Sequence, residues 1–131
     1  MSVENQKSVA LLEQLFAAFN RHDIDGVVAC MSEDCVFEGA AGAEAYGTRF
    51  TGIAAVADAF VKVWTTYPDV SWQNTSHFAV GDKAVSQWTF CATCPDGKRI
   101  EADGVDIFTV KDDKLVLKQA FRKDRPLLDP K

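Results

Sequence analysis

Between residues 70 and 122 the chain holds four strand-like runs, about Val70 to Val80, Ala84 to Cys94, Arg99 to Val110 and Leu115 to Arg122. They are separated only by Gly81-Asp82-Lys83, Pro95-Asp96-Gly97-Lys98 and Lys111-Asp112-Asp113-Lys114. Polar connectors this short join antiparallel neighbours, because a parallel pair needs a crossover of a dozen or more residues. The pattern predicts an antiparallel meander.

The first half follows a different period. Val9, Leu12, Leu15, Phe16 and Phe19 recur at steps of three and four and make one apolar helical stripe that ends near Asn20-Arg21-His22. Asp23 is placed to cap a short second helix over Ile24 to Met31, and Ser32-Glu33-Asp34 breaks it. Cys35 to Glu38 reads as a brief strand. Gly39 to Phe50, rich in Gly and Ala and without a period, reads as a surface loop. Thr51 is the expected cap of a third helix with Ile53, Val56, Phe60 and Trp64 on one face, closed by Pro68. Helices first and strands afterwards indicate an α+β domain in which a sheet curls around the helical stripes. With 131 residues, 47% of them hydrophobic, there is material for one well-filled core.

Charge and composition narrow the function classes. Fourteen Lys and Arg stand against nineteen Asp and Glu, a net charge of -5 with no long basic run to track phosphates, so nucleic acid is not an expected partner. The first residues lack the order of a signal peptide, and no apolar run reaches the roughly 20 residues of a membrane span, which leads us to expect a cytoplasmic protein. The four cysteines are then expected to stay reduced. Cys91 and Cys94, three apart on a strand, point to opposite faces and have no second pair at metal-ligand spacing.

Asp106 carries the most chemical interest. In Ala102 to Val110 the period of two places it on the same face as Phe108 and Val110. A carboxylate on an apolar face is either paired or functional, and burial raises its pKa into a range useful for proton transfer. Trp88 and Phe90 share one face of the preceding strand with Ser86 and Ala92 and would meet the helices near Asp106. His77 alternates with Ser71, Gln73, Thr75 and Ala79, which puts it on the more polar face. His22 follows a helix end, where its charge suits the helix dipole. Glu38 precedes the Gly-rich loop, a position open to a second acid or base, and Tyr46 and Arg49 in that loop are placed to close over a ligand. On the last strand hydrophobicity puts Leu115, Leu117 and Phe121 on the buried face and sends Lys118 and Arg122 to solvent, whereas if the other face lined a cavity Lys118, Ala120 and Arg122 would point into it; composition favours the first arrangement.

The chain resembles the nuclear transport factor 2-like superfamily, in particular its SnoaL-like and ketosteroid-isomerase-like branches. The resemblance rests on Phe16-Ala17-Ala18-Phe19-Asn20-Arg21-His22-Asp23-Ile24-Asp25-Gly26, on Phe50-Thr51-Gly52, on Gly104-Val105-Asp106-Ile107-Phe108 and on Arg122 to Leu128, in that order. It implies a cone-shaped, curved, mainly antiparallel sheet packed on three N-terminal helices over a deep apolar pocket. It also implies a homodimer through the sheet and no cofactor. By position Asp106 falls on the strand acid that ketosteroid isomerases use to hydrogen-bond a developing oxyanion, a carboxylic acid kept protonated by its apolar surroundings. The family's catalytic tyrosine falls on Leu15 and its proton-shuttling aspartate on Gly39, next to Glu38. Ala92-Thr93-Cys94 stands where SnoaL-like cyclases often show Gly-Thr-His.

These readings combine into one expectation: a cofactor-free enzyme acting on a small apolar carbonyl compound, with Asp106 removing or donating a proton. Phe16, Phe60, Trp88 and Phe90 would form the walls, with Tyr46 contributing from the loop. The alternative is a non-catalytic binding or dimerisation domain.

Overall fold

A computed structural model describes residues 2–131. Helix α1 (Val3–Arg21) starts where the Ser2 hydroxyl accepts from the Asn5 amide, and it buries Ser8, Leu12, Leu15, Phe16, Ala18 and Phe19 along one stripe. It stops at His22, whose left-handed backbone (φ 56°) returns its amide to the carbonyls of Ala18 and Phe19. Asp23 caps α2 (Ile24–Val28) through the Gly26 amide. Helix α2 is shorter than its apolar residues suggest, because Met31 is already strand. That strand, β1 (Met31–Glu38), includes Ser32, Glu33 and Asp34.

After the loop, β2 (Arg49–Thr51) pairs with the end of β1. Thr51 therefore belongs to a strand, and Gly52 (φ 89°) takes the cap position of α3 (Ile53–Thr66) without a side-chain hydrogen bond. Helix α3 buries Val56, Phe60 and Trp64. The meander follows as β3 (Ser71–Val80), β4 (Lys83–Thr93), β5 (Arg99–Lys111) and β6 (Lys114–Arg122). The sheet runs β2-β1-β6-β5-β4-β3, antiparallel except where β1 lies parallel to β6. The end of α1 is tied to β3: Asn20 bonds both the amide and the carbonyl of Trp72, and His22 Nε2 lies 3.0 Å from the Val70 carbonyl while its ring stacks on Trp64. His22 thus works as a tether as well as a helix-end residue.

Two irregularities decide which side chains face the helices. Between Gln73 and Ser76 the β3/β4 register shifts, with Asn74 in the left-handed region (φ 55°). Trp72 faces inward before the shift and His77 and Ala79 after it, so Phe78 and Val80 are left exposed on the outer face. A second shift between Leu115 and Leu117 makes Val116 an extra residue in β6. Leu115 is buried before it, and Lys118, Ala120 and Arg122 turn inward after it. The strict alternation expected of β6 would have buried Leu117 and Phe121, yet Phe121 is 50% exposed and Lys118 only 6%.

Gly104 lies opposite Trp88 in the β4/β5 ladder, and a Cβ there would come within 2.5 Å of the Trp88 ring and also meet the Phe121 carbonyl. Gly104→Ala is expected to destabilise the fold by about 1–3 kcal/mol through this overpacking, read as a lower urea midpoint with an altered Trp fluorescence spectrum; wild-type values in both would refute the packing argument.

Candidate active site

Asp106 owes its surroundings to the small residues beside it. Directly opposite stand Ser86 on β4 and Ala120 on β6, and two residues before it on β5 is Gly104. None of these fills the inner face, so longer side chains reach Asp106 diagonally. Trp88 lies across Gly104 and donates from Nε1 to Asp106 Oδ2 at 3.0 Å, and Lys118 Nζ donates to Oδ1 at 3.1 Å. Diagonal neighbours in a ladder are within reach of such long side chains. Asp106 is completely buried and Lys118 nearly so. The Lys118 ammonium is also 4.7 Å from the centre of the Phe37 ring, 5.5 Å from Phe19 and 5.6 Å from Phe60. Ring faces at that range attract a cation, and the attraction is strongest where water is excluded.

Burial pushes the Asp106 carboxyl above its ordinary value of 3.8, and the Lys118 charge, the Lys118 hydrogen bond and the Trp88 hydrogen bond act in the opposite direction. The raised direction follows from taking a carboxylate out of water, and the ammonium beside it is what makes an ionised form tenable there. The result is a carboxylate, an ammonium and an indole N–H held in an aromatic enclosure. Such a set can take a proton at carbon and donate to a neighbouring oxygen.

His77 does not sit on the polar outer face. The β3 irregularity turns it inward, where Nδ1 lies 2.8 Å from Ser86 Oγ and the ring packs against Phe16 at 5.5 Å. Burial lowers the pKa of its imidazole and the charge of Glu13 opposes that shift. Phe90 lies further along the inner face, edge-on to Tyr67 and Trp72, with the Arg122 guanidinium 4.9 Å from its ring centre. Arg122 thus reaches the inner face and is not the fully solvated cation expected from hydrophobicity.

Glu38 and Tyr46 belong to a different place. Glu38 is buried among Arg49, which donates from Nε at 2.8 Å, and Gln119 Nε2 at 2.9 Å. The Gln119 hydrogen bond and then those of Arg49 hold its carboxyl below the usual range. Tyr46 is exposed and carries the Arg49 guanidinium 3.6 Å above its ring. Both border a cavity of about 360 Å³ that Asp106 does not line. A larger groove of about 910 Å³ lies along the strands, lined by Gln73, Gln87, Thr89, Val105 and Phe121 among others. Asp106 borders neither of these, nor the cavities of about 340 and 280 Å³. The deep pocket expected beside it is closed by the packed aromatics. Among the described residues no cluster of His, Cys, Asp or Glu is arranged to hold a metal ion.

Alternation places Ser86 on the inner face beside Trp88 without giving it a role, and it leaves Lys118 between two arrangements, of which the structure takes the one that composition disfavours. The extra residue at Val116 is what puts Leu115 and Lys118, three apart in sequence, on one face.

The direction of the Asp106 shift makes a stability prediction. An acid whose folded pKa lies above its unfolded value binds more protons when folded, so its contribution falls as pH rises from 3.8 through the folded pKa. The stability difference between wild type and Asp106→Asn, from urea unfolding across the acid range, should therefore shift against wild type as pH rises; a difference that is flat with pH would show the carboxyl to be unperturbed.

The sequence profile of the SnoaL-like domain matches residues 12–118. No curated protein matches the sequence directly. A candidate polyketide cyclase from Xanthomonas campestris pv. campestris superposes with a TM-score of 0.80 at 20% identity, covering 89% of this chain and 90% of that one. An NTF2-like protein of unknown function from Mesorhizobium loti gives 0.79 at 22% identity over 95% and 97%. TerC, co-crystallised with polyporic acid, gives 0.76 at 22% over 89% and 92%. At these identities the likeness is one of fold, an α+β cone of a mixed six-stranded sheet and three helices. With the profile spanning most of the chain, this protein belongs to the SnoaL-like domain family.

Proposed function

We propose that this protein is a cofactor-free proton-transfer enzyme of the isomerase or cyclase type, acting on a small, largely apolar carbonyl compound. The observation that carries the reading is the enclosure of Asp106 with Lys118 and Trp88. As a carboxylate Asp106 removes the proton beside the carbonyl, and the Lys118 ammonium donates to the carbonyl oxygen as negative charge develops there. Desolvation strengthens both interactions. Phe16, Phe60, Trp88 and Phe90 supply apolar walls, and because they are packed on the site, substrate reaches it only when some of them swing aside. Tyr46, on a separate cavity, has no part in this step. A polyketide cyclase-like fold and a neighbour co-crystallised with polyporic acid are compatible with a small-molecule site. The reading includes the cytoplasmic setting expected from the sequence, in which the four cysteines stay reduced.

The non-catalytic reading also has an observation in its favour: both Asp106 oxygens are occupied and the site is closed. Thermal-shift screening of steroid-like and polyketide-like carbonyl compounds, followed by turnover of the hits, separates the two. On a turned-over hit, Asp106→Asn should lower kcat by about 10²–10⁴-fold with KM little changed. Undiminished turnover would remove Asp106 from the chemistry, and hits that bind without turnover would favour the binding domain.

The reading includes a homodimer through the outer face of the sheet, where Phe78, Val80 and Phe121 are exposed, Phe121 lining the 910 Å³ groove. Sedimentation should give the mass of two chains for wild type and of one for Phe78→Asp combined with Phe121→Asp; a monomeric wild type would exclude the dimer.

A further inference from the structure

Asp106 is sealed from water, and a proton-transfer group in such a place needs a path by which its charge state is reset. Cα partners place His77 opposite Ser86, Ser86 opposite Asp106 and Asp106 opposite Ala120, so one row of inward side chains crosses β3, β4, β5 and β6. The first link of this row is made, with His77 Nδ1 2.8 Å from Ser86 Oγ. The second is not made in this structure, where Trp88 and Lys118 are the donors to Asp106; directly opposed residues hold their Cβ atoms about 4.5–5.5 Å apart, a gap that a serine hydroxyl and a carboxylate can close by side-chain rotation. Trp88 and Lys118 use one acceptor position on each Asp106 oxygen, and a carboxylate offers about four in all, so it has capacity for a third donor. Ser86 is fully buried whereas His77 is only half-buried, which leaves the imidazole in reach of water.

We propose that His77 and Ser86 form a proton relay joining buried Asp106 to solvent, with His77 a positioning residue that acts through Ser86 and touches no substrate. The inference rests on the reading of Asp106 as the proton-transfer group. With the relay closed, His77 Nδ1–H donates to Ser86 Oγ, and the Ser86 hydroxyl, rotated toward β5, donates to the Asp106 carboxylate. To charge the site, His77 Nε2 takes a proton from water, the Nδ1 proton passes to Ser86 Oγ, and the original Ser86 hydroxyl proton passes to Asp106. One proton enters at the imidazole and one arrives at the carboxylate, and His77 ends neutral as the Nε2–H tautomer. Release runs the same steps backwards. Burial and Phe16 favour the neutral imidazole, and the titratable groups around it are Glu13 on α1 and, beyond Ser86, Asp106 and Lys118.

The tautomer of His77 reports this chain and needs no substrate. Ring ¹⁵N shifts distinguish the two neutral forms, and with two histidines in the chain His77→Gln assigns the signals. At mildly alkaline pH wild-type His77 should be the Nδ1–H tautomer. In the double variant Asp106→Leu with Lys118→Met, which removes the acceptor without stranding a buried charge, Ser86 should donate back to Nδ1 and the Nε2–H tautomer should appear. An Nε2–H tautomer in wild type overturns the relay, and so does the same tautomer in both proteins; the wild-type spectrum decides even if the variant does not fold. If the tautomer is as expected but Asp106→Asn keeps full turnover, the network stands and the catalytic reading falls. If turnover is lost but the tautomer is Nε2–H, the relay falls alone.

Discussion

The ion pair between Asp106 and Lys118 is the interaction around which the interior is arranged. Bringing two charges out of water costs several kcal/mol per ion, offset only if their geometry is good and their remaining hydrogen-bonding capacity is met. Here the pair is joined at 3.1 Å, Trp88 occupies the second carboxylate oxygen, and three phenylalanine rings surround the ammonium. Removing either partner leaves the other buried and uncompensated, so the residues that hold them are constrained together.

Those constraints extend through the sheet. Trp88 passes over Gly104 to reach Asp106, so a Cβ at Gly104 would clash with its ring, and small Ala120 stands directly opposite the carboxylate. The extra residue at Val116 turns Lys118 inward, and without it the ammonium would face solvent and the carboxylate would lose its charge partner. The β3 irregularity does the equivalent for His77, bringing it to Ser86. Two local departures from regular strand geometry thus convert a meander that patterning alone makes polar outside and apolar inside into one with a polar strip within its core.

Packing also explains why no open pocket lies beside Asp106. Phe16, Phe60, Trp88 and Phe90 are all buried, and the aromatic contacts among α1, α3 and the sheet run nearly continuously from Phe16 to Phe90. The cavities of some size lie on other surfaces. A site closed in this way strengthens the electrostatics between its charged groups and makes access a matter of side-chain motion.

What could be read from the amino-acid order alone was whatever depends on neighbours along the chain. The helical stripes through Leu12 and Phe19 and through Val56 and Trp64, the four strands and their short connectors, and Asp106 on an apolar face all follow from period and turn length. Only the tertiary structure decided the facing of His77 and Lys118, the parallel pairing of β1 with β6 at Met31 and again from Val36 that takes in Ser32 to Asp34 as its irregular stretch, and the partners of Asp106. The reason is that a bulge reverses every side chain beyond it, and whether a bulge forms depends on the strand alongside and on the charge it must meet, neither of which lies nearby in sequence.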